Sequence, residues 1–420
     1  MVKSSLYILV LQASRILIGL FLMKLVSVSV GPKGLAFLGN YLSFLTIIVA
    51  LSGGGIINGV AKYVAQYKAN DKLKKEFLIS SLYFSVIFSF LFTVVLLLFS
   101  RDITVFIFGS LDYKIIIYFL IILQAALSLI YIVSSFYNGM GESENYAKII
   151  ILGNFIALPF IYYLVVSGDY ILIALAFMAP YFFCIVPVFF KLKFVFPGGF
   201  FISYKVLSSH FKNLSSFSLM ALVSSIMYPI TEIIIRGFIF NEVGIVEVGY
   251  WQALIKLSTV YLAVFSVFLS AHYMPIIASC NDKKTIDRNL QKYIIILGSV
   301  FVLGGGVYFF LRNDIIPLVF SNEFIAISDL VKYQLLGDFF RVLSMVVMFV
   351  FVAKAKTKEY VIFDIIQYSA LIVLSWALLA KGGTLEMFYV AYLIVYVSYF
   401  LMVLSYYTFY LKRDKNAISC

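Results

Sequence analysis

The sequence predicts an all-α membrane protein with twelve transmembrane helices, arranged as two bundles of six. Of its 420 residues, 63% are hydrophobic and only 12% are charged, whereas roughly a quarter of the residues are charged in an ordinary soluble domain. The apolar residues fall into runs of about 20, the length that an α-helix needs to cross the hydrocarbon core. Strands of a transmembrane barrel are about half as long, so the run length excludes a barrel.

Twelve apolar runs define the predicted spans. They are 5–29, 37–60, 77–99, 115–137, 149–166, 171–190, 214–240, 250–276, 293–311, 329–352, 361–380 and 387–410. The first run follows Lys3, as in a signal peptide, but it is too long for the hydrophobic part of one and lacks a clear small-residue cleavage site. It also contains Arg15 and Lys24. We therefore predict that it is kept as the first span.

The basic residues are distributed unevenly between the two sides of the predicted membrane. With the N-terminus placed inside, 21 of the 32 Lys and Arg residues fall in the inner connections and the tail, and 5 fall in the outer loops. The positive-inside rule then places both termini in the cytoplasm. The net charge of +12 therefore indicates membrane lipids with anionic headgroups as partners, and no nucleic acid.

The longest inner connection divides the chain into two halves. It contains the sequence PGG at 197–199, and such residues interrupt regular structure. We predict an N-terminal six-helix bundle over 1–190, a cytoplasmic linker over 191–213, a C-terminal six-helix bundle over 214–410 and a cytoplasmic tail over 411–420. An even number of spans gives both halves one orientation, as in parallel repeats whose substrate site lies at the repeat interface.

Motifs for catalysis and for metal binding are not found. The sequence has no Gly-rich phosphate loop, no Ser-His-Asp set and no carboxylate cluster, and its short outer loops leave no room for a catalytic domain. His210 and His272 have no Cys or carboxylate at ligand spacing. The three cysteines imply no disulfide framework. We interpret Gly53 to Gly55 as a kink or close-packing point in the second span, and we expect no metal, no cofactor and no enzymatic activity.

Charged side chains inside the spans are the candidates for function. The cations are Arg15, Lys24, Arg236, Lys256, Lys332 and Arg341, and the acids are Glu232, Asp329, Asp338 and Asp364. A charge at the bilayer centre costs about 2.5–3.5 kcal/mol on insertion scales, so these groups are expected to face protein or water. Six cations against four acids favour an anionic substrate.

Two pairs of these charges share a helix face. Glu232 and Arg236 are four residues apart, and Asp338 and Arg341 are three apart. Either of two roles explains each pair equally well: the two opposite charges neutralise each other, or they take part in transport. For Lys24, Arg236 and Lys256, which lie near the outer end of their spans, snorkelling to the interface is a further alternative. The many Tyr and Phe residues are expected to face lipid or the interface.

Five motifs together resemble the Wzx-type polysaccharide flippases of the MOP exporter superfamily. They are SVGPKGLA (29–36), GGGIINGVAKYVAQY (53–67), SFSLMALVSSIMYPITEIIIR (216–236), EVGYWQALIKLS (247–258) and YQLLGDFFRV (333–342). The resemblance extends over essentially the whole chain. It implies two six-helix bundles around a central cavity that opens alternately to each side of the membrane. It also implies translocation of undecaprenyl-pyrophosphate-linked oligosaccharides.

The resemblance, which matches Arg15, Lys24, Lys62, Arg236 and Asp338, and the other charges within the spans together predict roles for individual residues. The cations expected to bind the substrate are Arg15, Lys24, Lys62, Arg236 and Arg341. The acids expected to couple transport to a proton or sodium gradient are Glu232, Asp338 and Asp364. Family members that carry common antigen have Ser-Asp after the WQ motif, where this chain has Ser258 and Thr259. Glu232 is the expected local substitute for that acid.

The expected substrate is an O-antigen repeat unit, because the chain is rich in Ile, Phe, Tyr, Lys and Asn, whose A/T-rich codons resemble those of O-antigen gene clusters. An O-antigen polymerase and a chain-length regulator are then expected partners. The alternatives are a flippase for enterobacterial common antigen (lipid III) and a MATE-like drug or cation antiporter. An antiporter would need a net acidic cavity. An O-antigen polymerase would need a large outer loop, which this sequence lacks.

Overall fold

A computed structural model describes residues 2–196, 204–280, 282–354 and 356–413. In these ranges the chain is helical and contains no strand, which confirms the predicted all-α class. The helices are α1 (Val2–Phe37), α2 (Gly39–Leu51), α3 (Ile57–Gln66), α4 (Asp71–Leu98), α5 (Ser100–Phe108), α6 (Lys114–Gly139), α7 (Ser143–Val166), α8 (Tyr170–Phe183), α9 (Ile185–Val195), α10 (Tyr204–Glu242), α11 (Ile245–Phe268), α12 (Met274–Ser279), α13 (Lys283–Phe310), α14 (Arg312–Val319), α15 (Val331–Ala353), α16 (Thr357–Gly382) and α17 (Leu385–Arg413).

Eleven stretches within the described ranges are long and apolar enough to cross a membrane. They correspond to eleven of the twelve predicted spans, and the remaining one, 214–240, lies within α10. The middle of the predicted linker, 197–203, and most of the predicted tail, 414–420, lie outside the described residues. The predicted domain boundaries stay a prediction.

The chain forms two compact units. Unit 1 consists of Met1–Val30 and Phe37–Ile230, and unit 2 consists of Gly31–Ala36 and Thr231–Cys420. Within unit 2, the short segment Gly31–Ala36 packs against α11, where a Cβ atom on Gly249 would overlap the backbone of Pro32. The first helix bends at Gly31, which has φ 61°. Glycine adopts this left-handed conformation without steric cost.

The second span, in unit 1, is broken into two half-helices. Between α2 and α3, the consecutive residues Gly53, Gly54 and Gly55 have φ angles of 64°, 81° and 65°. A Cβ atom on Gly53 would lie only 2.6 Å from the Ser85 hydroxyl oxygen of α4. The kink expected from the sequence is therefore present, and it permits close packing at the same point.

The core of unit 2 lies around α15. Its buried apolar residues include Ile277 of α12, Val346 of α15 and Val403 of α17. Gly337 of α15 lies directly against the ring of Tyr392 in α17, and a Cβ atom there would overlap the ring. Close contact between α15 and α17 places the polar side chains of both helices within hydrogen-bonding distance.

Candidate functional site

Arg236 is buried in α10 and has two neutral partners on α11. Only 4% of its surface is exposed. Its Nη2 atom donates a hydrogen bond to Oε1 of Gln252 at 2.9 Å, and its guanidinium carbon lies 5.4 Å from the ring centroid of Trp251. The tight turn at Gly244, whose amide binds the carbonyl of Ile239, brings α11 back beside α10. These two contacts orient the guanidinium without adding a charge to the site.

Glu232 lies one helical turn before Arg236 and is also buried, with 5% of its surface exposed. Burial of both side chains shows that neither snorkels to the interface, since snorkelling requires a charged group in water. The structure thus places both members of the predicted pair inside unit 2. Their roles in binding and coupling stay predictions.

Asp338 is the centre of a polar network that joins three helices. Its side chain is fully buried. Oδ2 accepts hydrogen bonds from Ser258 Oγ of α11 at 2.6 Å, from Gln334 Nε2 at 2.9 Å and from the Tyr261 hydroxyl group. Oδ1 accepts a hydrogen bond from the Tyr392 hydroxyl group of α17 at 2.6 Å. Four donors meet one carboxylate, which is an acceptor-only group when ionised.

Arg341 is half-buried and lies on the other side of Tyr392. Its Nη1 atom donates a hydrogen bond to the Tyr392 hydroxyl oxygen at 3.2 Å, and its guanidinium carbon lies 5.3 Å from the ring centroid of Tyr396. Asp364 of α16 is half-buried and within electrostatic reach of Arg341. Asp338 and Arg341, which the sequence predicts as a pair, are thus joined through the hydroxyl group of a third residue.

The predicted cations of unit 1 are more accessible. Arg15 is exposed at the surface of the protein and is within electrostatic reach of Tyr131 and Tyr181. Lys24 is half-buried nine residues later, which is about 13 Å along the helix and on roughly the opposite face. Lys62 of α3 is exposed. The helix geometry therefore does not bring Arg15 and Lys24 onto one face.

Metal binding finds no support in the described part of the chain, where no group of three or more His, Cys, Asp or Glu side chains could hold an ion. His210 instead packs edge-on against the Phe77 ring, with ring centroids 5.4 Å apart.

The sequence is similar over nearly its whole length to known proteins. No family model matches the sequence. The chain is 28% identical over 402 residues to lipid III flippase of Escherichia coli strain K12, covering 93% of this chain and 95% of the relative. The same identity and coverage are found for lipid III flippase of Shigella flexneri.

Solved structures agree over a similar length. A multidrug resistance MATE family transporter of the MOP superfamily superimposes with a TM-score of 0.78 at 13% identity, covering 96% of each chain. The chain has the MOP superfamily fold. Lipid II flippase MurJ gives a TM-score of 0.73 at 16% identity, covering 97% of this chain and 88% of MurJ. With the full-length match to lipid III flippase, this confirms the predicted resemblance to Wzx-type flippases of the MOP superfamily.

Tyr392 and Tyr396 of α17 are the site residues that sequence reasoning missed. Tyr389, Tyr392 and Tyr396 are buried with 0%, 1% and 1% of their surfaces exposed, so the expectation that aromatic residues mostly face lipid is wrong for this helix. Gly337 of α15 leaves room for the Tyr392 ring at the contact between α15 and α17. The spacing of three and four residues between the tyrosines places them on one helix face, and that spacing is the signal that could have identified them.

Proposed function

We propose that this protein is a flippase that moves undecaprenyl-pyrophosphate-linked O-antigen repeat units from the cytoplasmic to the periplasmic leaflet of the inner membrane by alternating access. The observation that carries the proposal is the similarity to lipid III flippase, which extends over 93% of this chain and 95% of that protein. Flipping needs binding and release but no covalent chemistry, so the protein is a transporter and not an enzyme.

The cations of the spans support an anionic headgroup as the substrate. Arginine binds phosphate oxygens through two parallel hydrogen bonds, and buried Arg236 already has its guanidinium oriented by Gln252 and Trp251. We assign Arg15, Lys24, Lys62, Arg236 and Arg341 to the pyrophosphate and the first sugars. The polyprenyl tail stays in the lipid while the headgroup crosses.

Release of the headgroup requires the cationic site to weaken, and the acids are placed to do this. Glu232, one turn from Arg236, would hold that guanidinium in the empty site and yield it when pyrophosphate binds. Asp338 is surrounded by the hydroxyl oxygens of Ser258, Tyr261 and Tyr392, and oxygen ligands suit hard cations such as sodium. Asp364 lies beside Arg341. We infer that a proton or sodium gradient acts on this set of acids.

The proposed orientation has both termini in the cytoplasm. It follows from the excess of Lys and Arg in the connections on that side, 21 against 5. In this orientation Lys62 lies at the cytoplasmic end of α3, where a lipid-linked headgroup would first approach. An O-antigen polymerase and a chain-length regulator would act on the product in the periplasm.

Flipping of lipid III is the second candidate function. It is favoured by the names of both full-length relatives. A MATE-like antiporter shares the fold, but the surplus of cations in the spans disfavours a cationic cargo.

Complementation tests the proposal and separates the two candidates. The chain would be expressed in a strain that lacks its O-antigen flippase and in a strain that lacks its lipid III flippase, and glycan ladders and common antigen would be followed in each. Restored O-antigen ladders support the proposal. If only common antigen is restored, the substrate is lipid III. Good membrane abundance without rescue in either strain would refute flipping and favour an antiporter.

A further inference from the structure

Tyr392 connects an acidic and a basic side chain, Asp338 and Arg341, that both have a role in the proposed function. Its hydroxyl group donates to Oδ1 of Asp338 at 2.6 Å and accepts from Nη1 of Arg341 at 3.2 Å. A hydroxyl group has one proton and two lone pairs. Because the proton is directed to the carboxylate, a lone pair is directed to the guanidinium. By accepting this proton, Asp338 leaves the hydroxyl oxygen free to accept a hydrogen bond from Arg341.

The ring that carries the hydroxyl group is held in place. Tyr392 is 1% exposed and lies against Gly337, where even a Cβ atom would overlap it. The ring centroid of Tyr396 lies 4.5 Å from that of Tyr392. Such close packing limits a side chain to one rotamer, so the position of the hydroxyl oxygen is fixed by the fold.

Two tyrosines of α17 contact the guanidinium of Arg341. The Tyr392 hydroxyl group accepts from Nη1, and the Tyr396 ring lies 5.3 Å from the guanidinium carbon. The Tyr396 hydroxyl group in turn accepts a hydrogen bond from Gln367 Nε2 at 3.0 Å. Arginine has many rotamers, and fixing one of them before the ligand arrives reduces the entropy lost on binding.

We propose that Tyr392 is the positioning residue for Arg341, and that Asp338 is its anchor. In this arrangement Arg341 binds a phosphate oxygen of the substrate, while Tyr392 touches no substrate and acts only through Arg341. This inference rests on the proposed function. One consequence is a route for coupling: a proton or cation at Asp338 changes the hydrogen bonding of the Tyr392 hydroxyl group, and the change reaches Arg341 directly.

A single-atom substitution tests the relay, and the same helix supplies its control. Tyr392→Phe removes the bridging hydroxyl group and keeps the packed ring. Tyr389→Phe removes a hydroxyl group from a fully buried ring one turn earlier, where that group has no hydrogen-bond partner among the described residues. We expect glycan ladder intensity per membrane-inserted protein, and the affinity of the purified protein for inorganic pyrophosphate, to fall about tenfold for Tyr392→Phe. A lost hydrogen bond to a charged group has about that effect. Tyr389→Phe should leave both unchanged.

A double-mutant cycle separates positioning from a structural role. In an Arg341→Gln background, Tyr392→Phe should cause no further loss of ladder intensity, because the group that it positions is gone. Two outcomes would overturn the relay. One is a loss of ladder intensity in the double variant equal to the product of the two single losses, and the other is equal activity of Tyr392→Phe and Tyr389→Phe. If the unsubstituted protein rescues no flippase-deficient strain, the proposed function itself fails. If it rescues but binds no measurable pyrophosphate, the cycle in ladder intensity decides.

Discussion

Ser258 of α11 donates a hydrogen bond of 2.6 Å to Asp338 of α15, across 80 residues of sequence. Ser258 is the last residue of the EVGYWQALIKLS motif, and the departure from the Ser-Asp of the common antigen members falls on the next residue, Thr259. The Ser258 hydroxyl group contributes one of the four donors that satisfy the buried carboxylate, and so ties two helices of unit 2 together at their polar centre.

Ser258→Ala should lower stability, because a buried carboxylate loses one of its donors. Hydrogen bonds to charged groups contribute about 1.5–3 kcal/mol. We expect the free energy of unfolding to fall by an amount in that range, measured by thermal unfolding of the purified protein. Ser270→Ala is the matched control. The Ser270 hydroxyl group is exposed and donates a hydrogen bond to the carbonyl of Val267, three residues earlier. Equal unfolding temperatures for the two variants would contradict a stabilising role for Ser258.

Arg236→Ala should abolish glycan export while the protein remains in the membrane. The substitution removes the best-oriented buried cation of the proposed site. Arg236→Lys should recover export only in part, because an ammonium group cannot bind phosphate through two parallel bonds. Lys381→Ala, which removes an exposed cation at the C-terminal end of α16, should export normally. The check is ladder intensity against membrane abundance, and full export by Arg236→Ala would remove this residue from the proposal.

Gly337→Ala should destabilise unit 2 by overpacking. The added methyl group would overlap the Tyr392 ring, and inserting a methyl group into a packed core costs about 1–3 kcal/mol. Gly306→Ala, in α13, is the control, since its Cβ atom would meet no atom within 4 Å. Thermal unfolding of both variants measures the difference. A neutral Gly337→Ala variant would show that α15 and α17 can separate without cost.

Substitutions at two glycines of unit 1 separate the cost of backbone strain from the cost of a steric clash with a neighbouring side chain. Gly53 and Gly109 both have positive φ, 64° and 72°, where a side chain costs roughly 1–2 kcal/mol. Only Gly53 also has a neighbour in the way, with Ser85 Oγ at 2.6 Å from the position that a Cβ atom would occupy, whereas Gly109 has none within 4 Å. Gly53→Ala should therefore lower the unfolding temperature more than Gly109→Ala. Adding Ser85→Gly should reduce that excess, and failure to do so would contradict the collision.

The elements of this fold were more predictable than its contacts. Runs of apolar residues give the spans, and three adjacent glycines give the break in the second one, because both signals are local in sequence. The shared helix face of Asp338 and Arg341 was also predictable from their spacing. Tyr392, which joins them, comes from another helix 54 residues from Asp338. Its role depends on how α15 packs against α17, and hydropathy does not determine the rotation of one membrane helix against another.

His210 gives unit 1 a pH-dependent contact. It is 8% exposed and packs against the rings of Phe77 and Tyr67. Burial lowers the pKa of His210, and the nearby Glu76 opposes this shift in part. Protons therefore bind the unfolded chain more readily than the folded one, so stability must rise with pH through the ordinary histidine pKa of about 6.5.

The expected result is a fall in unfolding temperature as pH is lowered below about 6.5, the ordinary pKa of the unfolded histidine, towards its lower folded pKa. His210→Phe keeps a ring between Phe77 and Tyr67 and removes the titrating group, so its unfolding temperature should change less over the same range. The chain has two histidines, and the other, His272, is exposed, which makes His272→Gln the matched control. If His272→Gln flattens the pH profile and His210→Phe does not, the buried ring contact is not the source of the pH dependence.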